Sequence, residues 1–282
     1  MSTCLRPPFA TAAWPVPFIV AHRANAPGAA ENSLAGIRAN GALGTDLVEI
    51  DVRRSLGGTP FLHHDWYLGH DAPGGRLSDR FPVRVTPARL LRRLLQPGWE
   101  DGDGQDGDET TPELAEALDL IASDPALPGP ALHVKDPGSV RAALQQIRHR
   151  RLGERTALWL EDAESARLAR SMVPEAQVIL VEGRQCTRRE FSAHIDAARE
   201  VGAAGVSLPW WAAIDDVLAE ATAKGVGTVA LLHDLDTVVP RVRAGLGGVI
   251  TDHPEWVRDL LRRAGLRGRL ETKLNAEIAQ AS

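Results

Sequence analysis

The stretch "LVEIDVRRSLGGTPFLHHD", residues 47–65, decides how many strands this chain can close into a barrel. Its first half alternates, with Val48, Ile50 and Val52 on one face and Glu49 and Asp51 on the other. Two carboxylates on one face of a buried strand repel each other and lose hydration. The pattern therefore describes either an exposed edge or a pair held by a cation. The segment "RRSLGGT" then leads to a second run, "PFLHHD" (60–65). A parallel crossover needs about a dozen residues or more, so the short Gly57-Gly58 turn predicts an antiparallel hairpin.

With the hairpin set aside, the β-rich runs are "FIVAHR" (18–23), "LVEIDV" (47–52), "PALHVK" (130–135), "TALWLE" (156–161), "QVILVE" (177–182), "AGVSLP" (204–209), "VGTVALLH" (226–233) and "GVITD" (248–252). Amphipathic patterns such as "ENSLAGIRANGAL", "SVRAALQQIRHR" and "PEWVRDLLRRAG" fall between most of them. Repeated βα units with eight parallel strands predict an α/β fold, a (β/α)8 TIM barrel, with its chemistry at the C-terminal strand ends. The expected organisation is one barrel domain over 18–265, with a lead-in at 1–17 and a tail at 266–282. An insertion follows the hairpin at 66–112. It holds a helical piece, "PARLLRRLL", and the acidic run "EDGDGQDGDE". That run lacks the spacing of a calcium loop and reads as a solvated lid or linker.

Composition narrows the function classes. The 282 residues are 44% hydrophobic and 24% charged, with a net charge of −5, which suits a full globular core and gives no basic footprint for nucleic acid. Two cysteines, Cys4 and Cys186, make no disulfide framework. "FATAAWPVPFIVA" (9–21) is broken by Pro15 and Pro17 and reads as a lead-in plus a buried first strand rather than an export signal. A cytoplasmic protein with no stable membrane insertion is expected.

The strand ends collect His22 and Arg23, Glu49 and Asp51, His133 and Lys135, then Glu161, Glu182, Ser207, His233 and Asp252, with His64 and Asp65 added by the hairpin. Carboxylates suit a hard cation, Arg and Lys suit phosphate oxygens, and histidines suit proton transfer near neutral pH. Together they predict metal-assisted chemistry on an anionic substrate.

The run "IVAHRANAPGAAENSLAGIRANGALGTDLVEIDVRRSLGGTPFLHHD" resembles the N-terminal signature of the glycerophosphodiester phosphodiesterase family: His-Arg-Gly, Glu-Asn, Glu-x-Asp, His-Asp. The close, "LGGVITDHPEWVRDLL", is similar as well. The resemblance implies a barrel that cleaves phosphodiesters with one divalent cation, magnesium or calcium. It makes His22 and His64 the acid–base pair, Arg23 and Lys135 phosphate-binding, and Glu49 and Asp51 metal ligands. Glu31 and Asn32 match the Glu-Asn pair, which could equally be a helix cap. The expected substrate is a small phosphodiester or lysophospholipid.

Four stretches depart from the pattern. "HVK" puts His133 where the third metal ligand is a glutamate, which would favour manganese, cobalt or zinc. Ala24 replaces the glycine of His-Arg-Gly. Ala230 and His233 replace a tryptophan and an asparagine, and "WLED" replaces a serine-phenylalanine pair. The metal-and-histidine half is kept and the substrate-facing half is rewritten. Three alternatives to hydrolysis stay open: a phospholipase D-like lyase giving a cyclic phosphate, a repurposed biosynthetic barrel, or a non-catalytic one.

Overall fold

Eight parallel strands close on themselves in the computed structural model, which describes residues 17–68, 81–93, 95–97, 106–181 and 187–267. The first third of the chain holds β1 (Phe18–Ala21), α1 (Leu34–Leu43), β2 (Leu47–Arg54), β3 (Pro60–Leu62), α2 (Ala88–Leu91), β4 (Leu95–Pro97) and β5 (Asp106–Thr110). Regular βα units follow: α3 (Leu114–Ser123), β6 (Gly129–Val134), α4 (Pro137–Arg150), β7 (Ala157–Leu160), α5 (Ala163–Met172) and β8 (Gln177–Val181). The last units are α6 (Arg188–Glu200), β9 (Gly205–Leu208), α7 (Asp215–Ala223), β10 (Gly227–Leu231), α8 (Val238–Arg243), β11 (Gly248–Thr251) and α9 (Pro254–Arg263). The barrel order is β1-β2-β6-β7-β8-β9-β10-β11, closed by β11 on β1.

Strand alternation sorts the core into two layers. Phe18, Val20, Leu47, Ala131, Ala157, Trp159, Ile179, Val229 and Ile250 fill the barrel interior. The opposite parity, including Ile19, Val48, Ile50, Val52, Leu132 and Leu158, packs against the helices. Phe18 lies so close over Gly248 that a Cβ there would sit 2.4 Å from its ring, so the barrel floor tolerates only glycine at this position.

The hairpin forms as expected. β3 runs antiparallel to β2, with Val52 opposite Leu62 and Arg54 opposite Pro60. Its turn is shorter than the spacing suggested, because β2 continues through Arg53 and Arg54 and Ser55 N donates to Thr59 O at 2.9 Å. β3 ends at Leu62, which delivers His63, His64 and Asp65 to the mouth. In the insertion, helix α2 is only four residues long. Part of the acidic run is strand rather than loop, since β5 pairs antiparallel with β4. The lead-in before residue 17, Cys4, Cys186, Glu182 and the tail beyond 267 lie outside the described residues. No helix among the described residues is long and apolar enough to cross a membrane.

Candidate active site

The interior face of β2 changes from apolar to charged along its length: Leu47, then Glu49, Asp51 and Arg53, none more than 4% exposed. The same change occurs on β6, where Ala131 is followed by His133 and Lys135, and past β7, where Trp159 is followed by Glu161. Strand register sets Asp51 beside His133 and His133 beside Trp159. One half of the barrel mouth is therefore an ionic cluster, buried at Glu49, Asp51 and Arg53 and exposed at its Glu161 edge.

Its carboxylates are held from several sides. Glu49 Oε2 accepts from the Arg23 backbone N–H at 2.7 Å. Asn32 donates to Asp51 Oδ2 at 3.1 Å and accepts from the Asp51 N–H at 2.9 Å. The helix-cap alternative for Asn32 fails, because Ser33 caps α1 by accepting from Gly36 N. Lys135 Nζ stands 3.1 Å from Asp51 Oδ1. Burial alone would push the Asp51 carboxyl up, but Lys135 and His133 outweigh it and hold it well below the usual range. Arg23 pairs with Glu31 at 3.0 Å and keeps its Nε 3.9 Å from Asp51.

His133 Nδ1 faces Glu49 Oε1 at 3.6 Å and Asp51 Oδ1 at 3.5 Å, while its Nε2 lies 3.6 Å from Glu161 Oε1. Donor atoms of Glu49, Asp51 and His133 all lie within 4.8 Å of one another. Ligands of one divalent ion sit about 2.0–2.5 Å from it, which puts any two of them about 3–5 Å apart, depending on the angle between them. Two oxygens and an imidazole at these separations fit such an ion. Burial favours a neutral His133, yet Asp51, Glu161 and Glu49 overcome it and push the imidazole up to about 10. The ring lies between all three carboxylates.

This has a measurable consequence for the metal-free protein. A group raised from 6.5 to about 10 on folding gives stabilisation that is complete below about pH 6.5 and fades as pH rises through about 10. Melting temperatures across that interval should fall more steeply for the wild type than for His133→Gln. Parallel curves would show that His133 is not charged in the folded state.

The turn after β1 is strained. Arg23, Ala24 and Asn32 all have φ near +50°, and with Arg151 they are the non-glycine residues of positive φ among the described residues. Each costs about 1–3 kcal/mol and persists only where its surroundings enforce it. Asn40 Nδ2 donates to the Ala24 and Asn25 carbonyls, both at 3.1 Å. The left-handed φ of Ala24 also gives a physical reason for glycine at this place in the resembled pattern. Beneath the turn, a Cβ on Gly36 would stand 2.3 Å from Ala24 O. Gly36→Ala, usually favourable inside a helix, should here lower stability by about 1–3 kcal/mol and lower turnover as well. Melts and steady-state kinetics test both. A stabilised, fully active variant would remove Gly36 from the support of the turn.

Each of the two histidines has a carboxylate behind it. His22 Nδ1 lies 2.8 Å from Asp252 Oδ1, which also accepts from Asn25 Nδ2 at 2.9 Å. His64 Nδ1 lies 2.7 Å from Asp65 Oδ1. Burial works against charge in the first pair, but the mutual hydrogen bond outweighs it, raising His22 and bringing Asp252 down to about 2. In both pairs Nε2 is the nitrogen not engaged by the carboxylate, the arrangement that acid–base catalysis uses. His63 is a packing residue as expected, buried with Nε2 2.9 Å from Tyr67 O.

Arg53 was not among the expected site residues. Its Nε donates to His64 O at 2.8 Å and its guanidinium lies 4.0 Å over the Trp66 ring, so it positions the His64 segment. Alternation could have found it, as the next inward residue after Glu49 and Asp51. Asn25 and Asn40 carry no sequence mark. Ala230 corrects an expectation: it is buried in the helix-facing layer, so the change from tryptophan there concerns packing and not the mouth. His233 does stand at the mouth, exposed, with Nδ1 3.8 Å from Asp252.

The family model for the glycerophosphoryl diester phosphodiesterase family matches residues 22–256, which spans His22 through Asp252. The chain belongs to this family. It is thus one of the phosphoric diester hydrolases. A glycerophosphodiester phosphodiesterase of Caldanaerobacter subterraneus subsp. tengcongensis is 26% identical over 258 residues, 88% of this chain and 98% of its own. The fold is shared with a glycerophosphodiester phosphodiesterase from Parabacteroides distasonis, at TM-score 0.70 and 16% identity over 88% of this chain and 98% of that one. It is also shared with an Oleispira antarctica phosphodiesterase solved in complex with the product sn-glycerol-3-phosphate, at TM-score 0.70 and 20% identity over 88% and 97%.

Proposed function

We propose that this enzyme hydrolyses a small glycerophosphodiester, with His22 as general acid and His64 as general base. The observation that carries this reading is the pair of histidine–carboxylate units beside one ionic cluster. Asp252 raises the His22 pKa and so favours its proton-donating form, which suits it to the leaving oxygen. His64 Nε2 takes a proton from water as the water oxygen bonds to phosphorus. The P–O bond to the alcohol breaks and His22 Nε2 supplies that alcohol with its proton. Arg23 and Lys135 face the charge that develops on the non-bridging oxygens. Glu49, Asp51 and His133 would hold a divalent cation, which supplies Lewis-acid charge beside the phosphate when bound.

The test is product analysis with sn-glycero-3-phosphocholine and related diesters, with and without added divalent ions. Glycerol phosphate and a free alcohol are expected, dependent on the cation. A cyclic phosphate would replace water by a substrate hydroxyl as nucleophile, and failure on every diester with every ion would overturn the reading.

A further inference from the structure

Among the described residues, the large exposed apolar side chains all belong to connections that leave the C-terminal ends of the barrel strands. Among the described residues ten large hydrophobic side chains are exposed: Leu56, Trp66, Tyr67, Phe81, Val85, Leu90, Trp210, Trp211, Ile214 and Trp256. Every one lies on a segment or first helical turn that follows the C-terminal end of a barrel strand. None lies on the opposite end, so this is not the random scatter of a soluble surface.

Six of the ten come from one continuous patch built on the hairpin and the insertion. Leu56, 63% exposed at the hairpin tip, donates its N–H to Thr86 O at 2.9 Å. Val83 N donates to Trp66 O at 2.9 Å and Leu68 N to Phe81 O at 3.0 Å. Phe61, Val83 and Leu91 form a small core beneath, while the outer side chains of the patch are exposed. Trp66 follows His64 by two residues, so the patch borders the catalytic mouth.

The patch is also basic. Residues 81–93, "FPVRVTPARLLRR", contain no acid, and Arg84, Arg89, Arg92 and Arg93 are all exposed, though Arg92 is paired to Glu113. The chain as a whole carries −5, so this cluster runs against the overall charge. By sequence the same insertion also holds the acidic run 100–109, of opposite charge. A second copy of this chain is a poor partner, because a twofold contact would set these arginines against each other. Aromatic rings with polar edges, interleaved with arginine, match the headgroup layer of a membrane.

We infer that this rim docks the enzyme peripherally on an anionic lipid surface, with the catalytic mouth facing the headgroups. The inference rests on the proposed phosphodiesterase reading only in placing a phosphodiester site at the centre of the rim; the docking itself is independent of turnover.

Vesicle flotation tests it. The purified enzyme should bind phosphatidylcholine vesicles containing phosphatidylglycerol, bind pure phosphatidylcholine far more weakly, and be released by salt. Each arginine near such a surface contributes about fivefold, so an Arg84→Gln/Arg89→Gln/Arg93→Gln variant should bind about 100-fold more weakly. Phe81→Ser/Leu90→Ser should also weaken binding, without changing its salt dependence. Hydrolysis of a water-soluble diester without vesicles should stay at the wild-type level in both variants, which separates failure of docking from failure of the catalytic reading. No binding of wild-type enzyme to anionic vesicles, or equal binding by wild type and the arginine variant, overturns the inference. A dimer in solution that the same substitutions dissolve also overturns it, by assigning the patch to a second copy.

Discussion

His22→Ala and His64→Ala should each lower kcat by about 10²–10⁴-fold with little change in KM, the range expected when one positioned proton-transfer group is lost. Both side chains are partly exposed at the mouth, so the variants should keep the wild-type circular dichroism spectrum. The pH profile separates the two roles. A general acid must be protonated, so activity falls as pH rises through its pKa. Asp252 raises the His22 pKa, and Asp252→Asn should lower it, moving the alkaline limb of kcat/KM to lower pH. Asp65→Asn should leave that limb in place. If the alkaline limb follows Asp65 rather than Asp252, the two histidines exchange roles. If either alanine variant keeps near wild-type turnover, the two-histidine mechanism is wrong.

Most of the architecture was legible in the chain because each strand is one of a repeated kind. Period-two alternation found Glu49 and Asp51, and a connection too short for a crossover found the hairpin. β2 runs two residues past Val52, where a pair of consecutive arginines resembles a solvent-facing turn. Arg53 is nevertheless 3% exposed, with its Nε on the His64 carbonyl and its guanidinium over the Trp66 ring. The acidic run looked like loop for a related reason: β5 is defined by backbone pairing with β4, and nothing in its side-chain pattern alternates.

The site was legible as an inventory of residue types, and the resemblance chose among them. What no local pattern reveals is the strain at Arg23, Ala24 and Asn32, since none is glycine, and at Ala24 the carbonyl is held by Asn40 and by the close approach of Gly36. Nor could spacing foresee that Asp252, at the far end of the chain, would stand behind His22. Closure of the barrel by β11 against β1 brings those residues together.

The metal set yields the other large expected effect. Replacing a carboxylate by imidazole at position 133 removes a negative charge from the donor set, so manganese, cobalt or zinc should bind better than magnesium or calcium. His133→Glu should move that ranking toward magnesium and calcium, read by calorimetric titration of each ion. Glu161 acts from the other side of the ring. It faces His133 Nε2 at 3.6 Å, and a hydrogen bond from Nε2–H to it would leave the Nδ1 lone pair available to a cation. Glu161→Gln should therefore weaken ion binding by about 10–100-fold, the usual cost of losing the carboxylate behind a ligating histidine. An unchanged ranking in His133→Glu would remove His133 from the ligand set. The double variant is the sharpest measurement, because a carboxylate at 133 has no second nitrogen for Glu161 to orient. Glu161→Gln should then cost little in the His133→Glu background, and the difference between the two costs is the coupling through the imidazole. Equal costs in both backgrounds would mean that Glu161 acts on the ion by charge alone.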